Sequence, residues 1–213
     1  MVQQVRLETR PDRLGWVEDV SDCFSVASAR RWLDRITLFR GGDVMNWNNW
    51  VPIKLCVLLW RIRLSGIPTR ERLSARGIMV DSIMCPVCGG AVETIDHIFA
   101  GCSQLREVWC RIAIWWGVDP PLGDSLRSIL EWPTKLAVRA GQRKAFDAVI
   151  ITTVWVLWNF RNASIFGSCP PKKAEILDDV VDRSYFWISN RCKKHSIRWG
   201  LWLQNPLIAC STL

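Results

Sequence analysis

One short stretch of the sequence contains the residue types that bind metal ions. Cys85 and Cys88 are separated by two residues, and His97 and Cys102 follow after eight and four further intervening residues. Zinc takes four tetrahedral ligands from cysteine and histidine, and a two-residue gap lets both thiolates of one tight turn reach the same ion. Because four protein ligands fill the coordination shell, the pattern predicts one structural Zn²⁺ with no open position for a catalytic water.

Two other interpretations of these residues are open at the level of the sequence. Cys85 and Cys88 also fit a redox dithiol or a coincidental pair, and His97 also fits a histidine buried in a core. A dithiol of the thioredoxin type lies in a βαβ context, whereas the patterns around this stretch are helical. The chain has only two histidines, and the position of one of them between the cysteine pair and a further cysteine favours zinc.

The residues next to the ligands predict how the backbone presents them. Gly89 allows a positive φ just past the second cysteine. Thr94 is the predicted N-cap of a short helix, which places His97 in its first turn. Gly101 is predicted to end that helix beside Cys102.

Hydrophobic periodicity predicts a mainly α-helical fold around this stretch. Fourteen tryptophans indicate an aromatic-rich core. Apolar positions near 5–7, 16–17 and 24 leave open a short N-terminal β element. The predicted helices cover 25–39, 51–64, 70–76, 105–116, 125–131 with Pro133 as the boundary, 136–166, and 172–198.

The chain length of 213 residues is enough for one main domain with a looser tail. We predict an N-terminal extended segment over 1–24. A zinc-binding domain is predicted over 25–118. A C-terminal helical extension over 119–213 is predicted to pack on that domain.

The N-terminus and the most apolar segment bear on location. Residues 1–13 lack the apolar run of a secretory signal, so we predict an intracellular protein, with nucleus and cytosol both open. Polar residues interrupt 145–160, which is shorter than the ~18 apolar residues of a membrane span, so a buried core helix is predicted and no membrane association.

In a reducing compartment the other cysteines are expected to be ordinary buried thiols: Cys23, Cys56, Cys110, Cys169, Cys192 and Cys210.

Basic residues exceed acidic ones, giving a formal charge of +8, but they are unevenly distributed. Residues 1–80 carry +5, residues 81–133 carry −4 and residues 134–213 carry +7. A basic excess permits binding of a polyanion, although an excess spread over two flanks is a weaker sign than a clustered stripe, and exposed cations are commonly a solvated helix face. The candidate phosphate-binding side chains near the zinc turn are Lys54, Arg61, Arg63, Arg70, Arg72 and Arg76.

The sequence around the cysteines resembles the reverse transcriptase zinc-binding domain, which follows the polymerase in plant LINE-type non-LTR retrotransposons. The resemblance covers roughly 12–116 and includes the four predicted ligands in the family's order. Cys23 is a departure, because the family usually has glycine there. The other residues that carry the resemblance are 24–29, Trp50, Val51, Pro52, Lys54, 59–61, Pro68, Thr69, Leu73, 76–78, Glu93, Thr94, Phe99 and Trp109, with Trp155, Trp158, Arg161, Asn162, Ile165 and Phe166 similar to a helix that commonly follows.

The resemblance implies a module that accompanies an enzyme handling RNA and target DNA. We therefore expect a non-catalytic zinc module that assists binding of RNA or DNA. The chain shows no polymerase or endonuclease domain, and Asp178 and Asp179 lie in a helical pattern instead of the hairpin that a polymerase carboxylate pair needs. The expectation is a detached fragment that is not an enzyme and has no small-molecule substrate.

A second hypothesis belongs to a different class. The tryptophan-rich helices would form a structural appendage that packs on a polymerase domain supplied by a parent polyprotein, and an exposed apolar patch would mark that interface. An inactive retroelement remnant is also open. The alternative for the tryptophans themselves is that they fill this chain's own core: Trp109, Trp115, Trp116, Trp155 and Trp158.

Overall fold

The computed structural model describes residues 15–17, 22–38, 47–169, 171–192 and 196–211. These residues form helices and no strand, and one isolated antiparallel bridge joins Met84 to Val92. The prediction of a mainly α fold is confirmed. The short N-terminal β element that the sequence left open falls largely on 1–14, outside the described residues. The helices are α1 (Val26–Leu38), α2 (Ile53–Arg63), α3 (Arg70–Ala75), a π-helix (His97–Gly101), α4 (Glu107–Trp116), α5 (Leu126–Lys135), α6 (Ala140–Phe166), α7 (Glu175–Arg191), α8 (Trp199–Gln204) and α9 (Pro206–Ala209).

The chain divides into two compact units, Met1–Met45 and Asn46–Leu213. The described part of the first unit is α1 with the residues before it, and the Ser25 hydroxyl accepts a hydrogen bond from the Ser28 backbone at 3.0 Å. The second unit contains all the other helices. The predicted boundaries at residues 24 and 118 stay predictions.

Helix α6 is the centre of the second unit and packs against α7, α2, α5 and the π-helix. Within the described residues it is also the one helix long and apolar enough to cross a membrane, and 56% of its most apolar window is buried inside the protein. The core helix of a globular domain meets the same length and composition test. The predicted burial of this segment is confirmed by its contacts on several sides.

Aromatic rings join the helices around α6. Trp116 and Trp132 both pack against Phe146 with ring centroids 4.7 Å away, and Trp116 meets Trp202 edge to face at 5.9 Å. Edge-to-face pairs of this kind contribute about 0.5–1.5 kcal/mol beyond the area they bury. Of the five tryptophans singled out above, Trp109, Trp116 and Trp158 are buried and the other two are half-buried, so they mainly fill this chain's own core.

Two predicted helix ends are wrong. Helix α5 continues through Pro133 to Lys135, because a single proline removes one backbone bond and its ring here is buried in the core. Helix α7 ends at Arg191 and not near 198. Helix α8 packs on α7, and the Trp202 indole donates to the Val181 carbonyl at 3.2 Å.

The prediction that the single cysteines are buried thiols is correct for only half of them. Cys56, Cys192 and Cys210 are buried. Cys23, Cys110 and Cys169 are exposed. Cys110 is exposed because it lies on the outward face of α4, and Cys23 and Cys169 lie just outside helix ends.

Candidate metal centre

The fold brings the four predicted zinc ligands together. Their side-chain donor atoms all lie within 4.8 Å of one another. The Cys88 Sγ and His97 Nε2 atoms are 3.3 Å apart, and the Cys85 and Cys102 Sγ atoms are 4.0 Å apart. Cys85 and Cys102 are buried, while Cys88 and His97 are partly accessible.

A short hairpin presents the first two ligands. The Cys85 N–H donates to the Ala91 carbonyl at 2.7 Å, and the Glu93 N–H donates to the Ile83 carbonyl at 2.9 Å. Between them Gly89 has a φ of +66°, which a residue with a side chain adopts only at a cost. This glycine turns the chain so that both thiols of the hairpin point to one centre.

The π-helix presents the other two ligands. The Thr94 hydroxyl accepts from the His97 N–H at 3.0 Å, which confirms Thr94 as a cap. The Cys102 N–H donates to the His97 carbonyl at 2.6 Å, a bond that spans five residues and makes the turn wider than an α-helical one. Because of this wide turn, the third and fourth ligands face the same point.

Hydrogen bonds around the Cys85 sulfur atom favour its thiolate form. A hydrogen bond from Cys102, aided by the backbone N–H groups of Cys88 and Val87, lowers the pKa of Cys85 to about 5. Sharing that proton with Cys85 raises the pKa of Cys102. The Gly90 N–H also donates to the Cys88 Sγ at 3.4 Å.

The spacing of the donor atoms fits a tetrahedral zinc ion. With Zn–S near 2.3 Å and Zn–N near 2.0–2.1 Å, neighbouring donors in a tetrahedron are separated by about 3.5–3.8 Å. Two of the six donor separations are 3.3 and 4.0 Å, which bracket that range, and none exceeds 4.8 Å. The donor set of three thiols and one imidazole is also one that zinc selects over hard cations.

Comparison with known families agrees with this geometry. Residues 24–109 match the family described as zinc-binding in reverse transcriptase. Over this segment the chain is similar to that family. The match contains all four candidate ligands and lies within the range 12–116 over which the sequence resembles the family.

Similarity to one known protein extends beyond the reverse transcriptase zinc-binding segment. A protein of Arabidopsis thaliana that is named as a ribonuclease H protein is 26% identical over 162 residues. The aligned part is 73% of this chain but only 26% of that protein, so the chain spans about a quarter of its relative's length. No solved structure matches the chain.

A buried ion pair connects the reverse transcriptase zinc-binding segment to α6. Glu93 follows the hairpin and is fully buried, and Arg161 of α6 is 3% exposed. The guanidinium donates to both carboxylate oxygens, one of them at 2.7 Å, and to the Pro68 carbonyl at 3.3 Å. The Arg70 N–H adds a further bond to Glu93 at 2.7 Å. Both residues are among those that carry the family resemblance, but neither local sequence pattern indicates that they pair.

Two more contacts hold the metal centre in place. The Asp96 carboxylate, next to His97, accepts from the Leu126 N–H at the start of α5 at 2.8 Å. The Trp109 indole on α4 donates to the Phe99 carbonyl of the π-helix at 2.7 Å. The helices therefore support the ligands from two further directions.

The structure separates the six candidate phosphate-binding residues. Arg61 and Arg70 line one groove of about 560 Å³, whose other walls include Leu58, Leu73 and Phe166. Every one of the six is at least partly exposed. Arg76 reaches the Ser65 carbonyl at 3.4 Å, Arg72 lies 3.6 Å from Glu71, and Arg63 is exposed at the end of α2.

Lys54 lies apart from these arginines. It is roughly 10 Å from Arg61 along the axis of α2, and its ammonium group lies over the Trp155 ring, 5.3 Å from the centroid. The guanidinium of Arg183 also lies over this ring, at 5.1 Å. Lys54 therefore belongs to a second basic and aromatic surface, formed with α6 and α7.

Asp178 and Asp179 lie in α7, as predicted. Asp179 accepts a hydrogen bond from Arg183 at 2.8 Å, and Asp178 is exposed. An exposed helical pair of this kind has the geometry of a solvated face. It does not have the hairpin geometry of polymerase carboxylates.

Proposed function

We propose that Cys85, Cys88, His97 and Cys102 bind one structural zinc ion. The observation that carries this proposal is the convergence of their four donor atoms within 4.8 Å. Because the protein fills all four positions, the ion would stabilise the fold and would not activate water. In such sites the free energy of metal binding contributes directly to the free energy of folding. Removal of zinc should therefore loosen the hairpin and the π-helix together.

Metal content of the purified chain, measured by mass spectrometry, tests the zinc site. We expect one zinc per chain, lost in Cys88→Ala but retained in Cys110→Ala, which removes an exposed thiol outside the site. Circular dichroism before and after chelation should show loss of helix in the parent chain and in Cys110→Ala. A folded parent chain without zinc would overturn the proposal.

We further propose that this module assists binding of RNA or DNA within a longer retroelement polyprotein of the plant LINE type. The supporting observation is the position of Arg70. Its guanidinium donates to the Met84 carbonyl of the zinc hairpin at 2.8 Å, and it lines the same groove as Arg61. Zinc would thus set the shape of a largely apolar groove, with Asp81 in its lining, in which Arg61 and Arg70 contact phosphates.

Titration with single-stranded RNA at several salt concentrations tests the groove. We expect affinity to fall as the salt concentration rises. Arg61→Ala should weaken binding and reduce the salt slope, which is the slope of log affinity against log salt concentration, by about one. Lys172→Ala is the matched control, because Lys172 is an exposed cation that pairs with Glu175 and does not line the groove. Absence of salt-dependent affinity at low salt, with zinc bound, would refute this function and leave the zinc site unaffected.

A second candidate function is a structural appendage of a polymerase domain, and exposed apolar side chains favour it. Met79 is 97% exposed and Phe166 is 79% exposed, and both line the groove described above. Such residues are a common feature of protein interfaces. Self-association that Met79→Ser relieves would support this candidate, whereas a monomer with salt-dependent RNA binding would support the first.

We also propose that the module is non-catalytic and takes no small-molecule substrate, and that it acts inside the cell, in the nucleus or the cytosol. The name of the Arabidopsis relative suggests a ribonuclease H activity for that longer protein. In our proposal the present segment serves such an enzyme as a binding module. An inactive remnant would bind zinc but show no RNA affinity.

A further inference from the structure

A cleft of about 550 Å³ lies at the C-terminal end of α7, outside the segment that matches the family. Its walls are formed by Asn49, Phe186, Trp187, Asn190 and Arg191. Phe186 is 62% exposed, and the Arg191 side chain has no hydrogen bond or ion pair with any residue that the structure describes. The cleft thus combines an accessible ring with an exposed guanidinium.

The side chains of this cleft match the parts of a nucleotide. Aromatic faces stack on bases, amides form hydrogen bonds with base edges, and a guanidinium binds phosphate. The Asn190 amide group donates to the Phe186 carbonyl at 2.6 Å. That bond holds the amide on the wall of the cleft and leaves its oxygen available as an acceptor.

The charge around the cleft favours an anionic occupant. From residue 183 to residue 213 the sequence has five basic residues and no acidic one. Beside the cleft, Lys54 and Arg183 both lie over the Trp155 ring, which meets Trp187 edge to face at 5.8 Å, and Arg183 also pairs with Asp179. Cations and aromatic rings therefore alternate along this surface, which is the composition of single-strand binding surfaces.

We propose that this cleft binds one nucleotide of a single-stranded nucleic acid, with the base against Phe186 and the phosphate on Arg191. The site shares no residue with the zinc centre or with the groove of Arg61 and Arg70, so it goes beyond the function proposed above. It would place a second contact on the same strand. The exposed ring of Phe186 and the two amides of Asn49 and Asn190 favour a nucleotide. An acidic peptide would need only the cations.

Photochemical cross-linking of the zinc-loaded chain to a 5-iodouridine oligonucleotide tests the site directly. Trypsin cleaves after Arg183 and Arg191 and releases Ser184–Arg191, which carries both aromatic walls. We expect this peptide to carry the cross-link. Cross-links found only on other peptides would overturn the proposal.

Equilibrium binding to the same oligonucleotide provides the second arm. Loss of one stacked base should weaken binding by about 5-fold to 100-fold in Phe186→Ala, and Arg191→Ala should reduce the salt slope by about one. Ile114→Ala is the matched control for Phe186, since Ile114 is an exposed apolar residue on α4. All variants should retain zinc and helix content, because both cleft residues are exposed.

The outcomes separate this site from the groove. Weaker binding in Arg61→Ala with unchanged binding in Phe186→Ala would overturn the nucleotide cleft and keep the groove. The reverse result would support the cleft and refute the groove. Equal affinity for an acidic peptide, insensitive to Phe186→Ala, would also overturn the assignment to a nucleotide.

Discussion

Single residues decide how the zinc segment is joined to the rest of the protein, and the pair of Glu93 and Arg161 shows this most directly. Both charges are buried, and bidentate bonding with two backbone partners satisfies them. Such pairs add little net stability compared with apolar residues, but removal of one partner leaves a buried charge without compensation. The contact therefore specifies where α6 lies against the zinc hairpin.

Arg161→Met should destabilise the chain by about 3–5 kcal/mol, because Glu93 would remain buried without its counter-charge. Urea denaturation with zinc in excess measures the change. Lys172→Met is the control, since Lys172 is 78% exposed and pairs with Glu175 on the surface, where such pairs contribute about 0–1 kcal/mol. A loss below 1 kcal/mol in Arg161→Met would contradict the role given to this pair.

A second residue, Asp147 on α6, makes stability depend on pH. Burial raises the pKa of Asp147 above its ordinary 3.8, although the Asn48 amide donates to the carboxylate at 2.8 Å and Lys144 is close by. The folded state therefore favours the protonated form. This contribution to stability is complete below the ordinary pKa and is lost as the pH rises through the raised pKa.

Asp147→Asn should raise the free energy of unfolding at pH 7, because an amide carries no charge to desolvate. The gain should shrink as the pH falls and the parent carboxyl becomes protonated. Denaturation of both proteins from pH 8 down to pH 5, with zinc in excess, tests this trend, and Asp182→Asn on the exposed face of α7 is the control. A variant that is less stable at every pH would disprove it.

At the scale of elements, the termini of short helices are joined to the metal centre. The α5 helix begins at Leu126, and its first N–H bonds to Asp96, the neighbour of His97. A carboxylate at a helix N-terminus both accepts from a free N–H and interacts with the helix dipole. At the end of α4, Gly117 adopts a φ of +64°, which lets the chain reverse toward α5.

Asp96→Ala should lower stability by about 0.5–2 kcal/mol, the usual cost of a lost N-terminal cap. Zinc content should stay at one per chain, because Asp96 is not among the converging donors. Thermal unfolding and metal analysis of the same sample measure both quantities, with Asp182→Ala as the control. Loss of zinc in Asp96→Ala would show that this carboxylate acts on the metal site instead.

At the scale of the whole molecule, the second unit shares one core. Helix α6 contacts the π-helix, α2, α5 and α7, so the zinc centre and the C-terminal helices bury surface against the same element. A shared core of this kind predicts cooperative unfolding, in which no part of the unit unfolds alone. The first unit, Met1–Met45, is a separate compact body.

Substitution of cobalt for zinc should reveal this cooperativity. Thiolate-to-cobalt absorbance reports the metal centre, while helical circular dichroism reports the whole unit. We expect the two signals to change at the same urea concentration. Loss of the cobalt signal at clearly lower urea, with helix content retained, would mean that the metal centre unfolds independently of α6.

The sequence by itself determined the four candidate ligands and most of the helices, because both depend on local spacing. Two cysteines in one turn can reach one ion, and the period of 3.6 residues marks a helix wherever it occurs. It did not determine two helix ends, because tertiary packing decides them: α5 continues past the stop signal of Pro133, and α7 ends at Arg191 although the helical pattern continues.

Only the tertiary structure decided which distant residues meet. Glu93 and Arg161 are 68 positions apart in sequence, and nothing in either local pattern marks them as partners. The fold also placed Lys54 over the Trp155 ring of α6, and it placed Asn49 beside α7 to form a cleft. These contacts depend on how α6 and α7 pack, a property of the whole chain that no short segment contains.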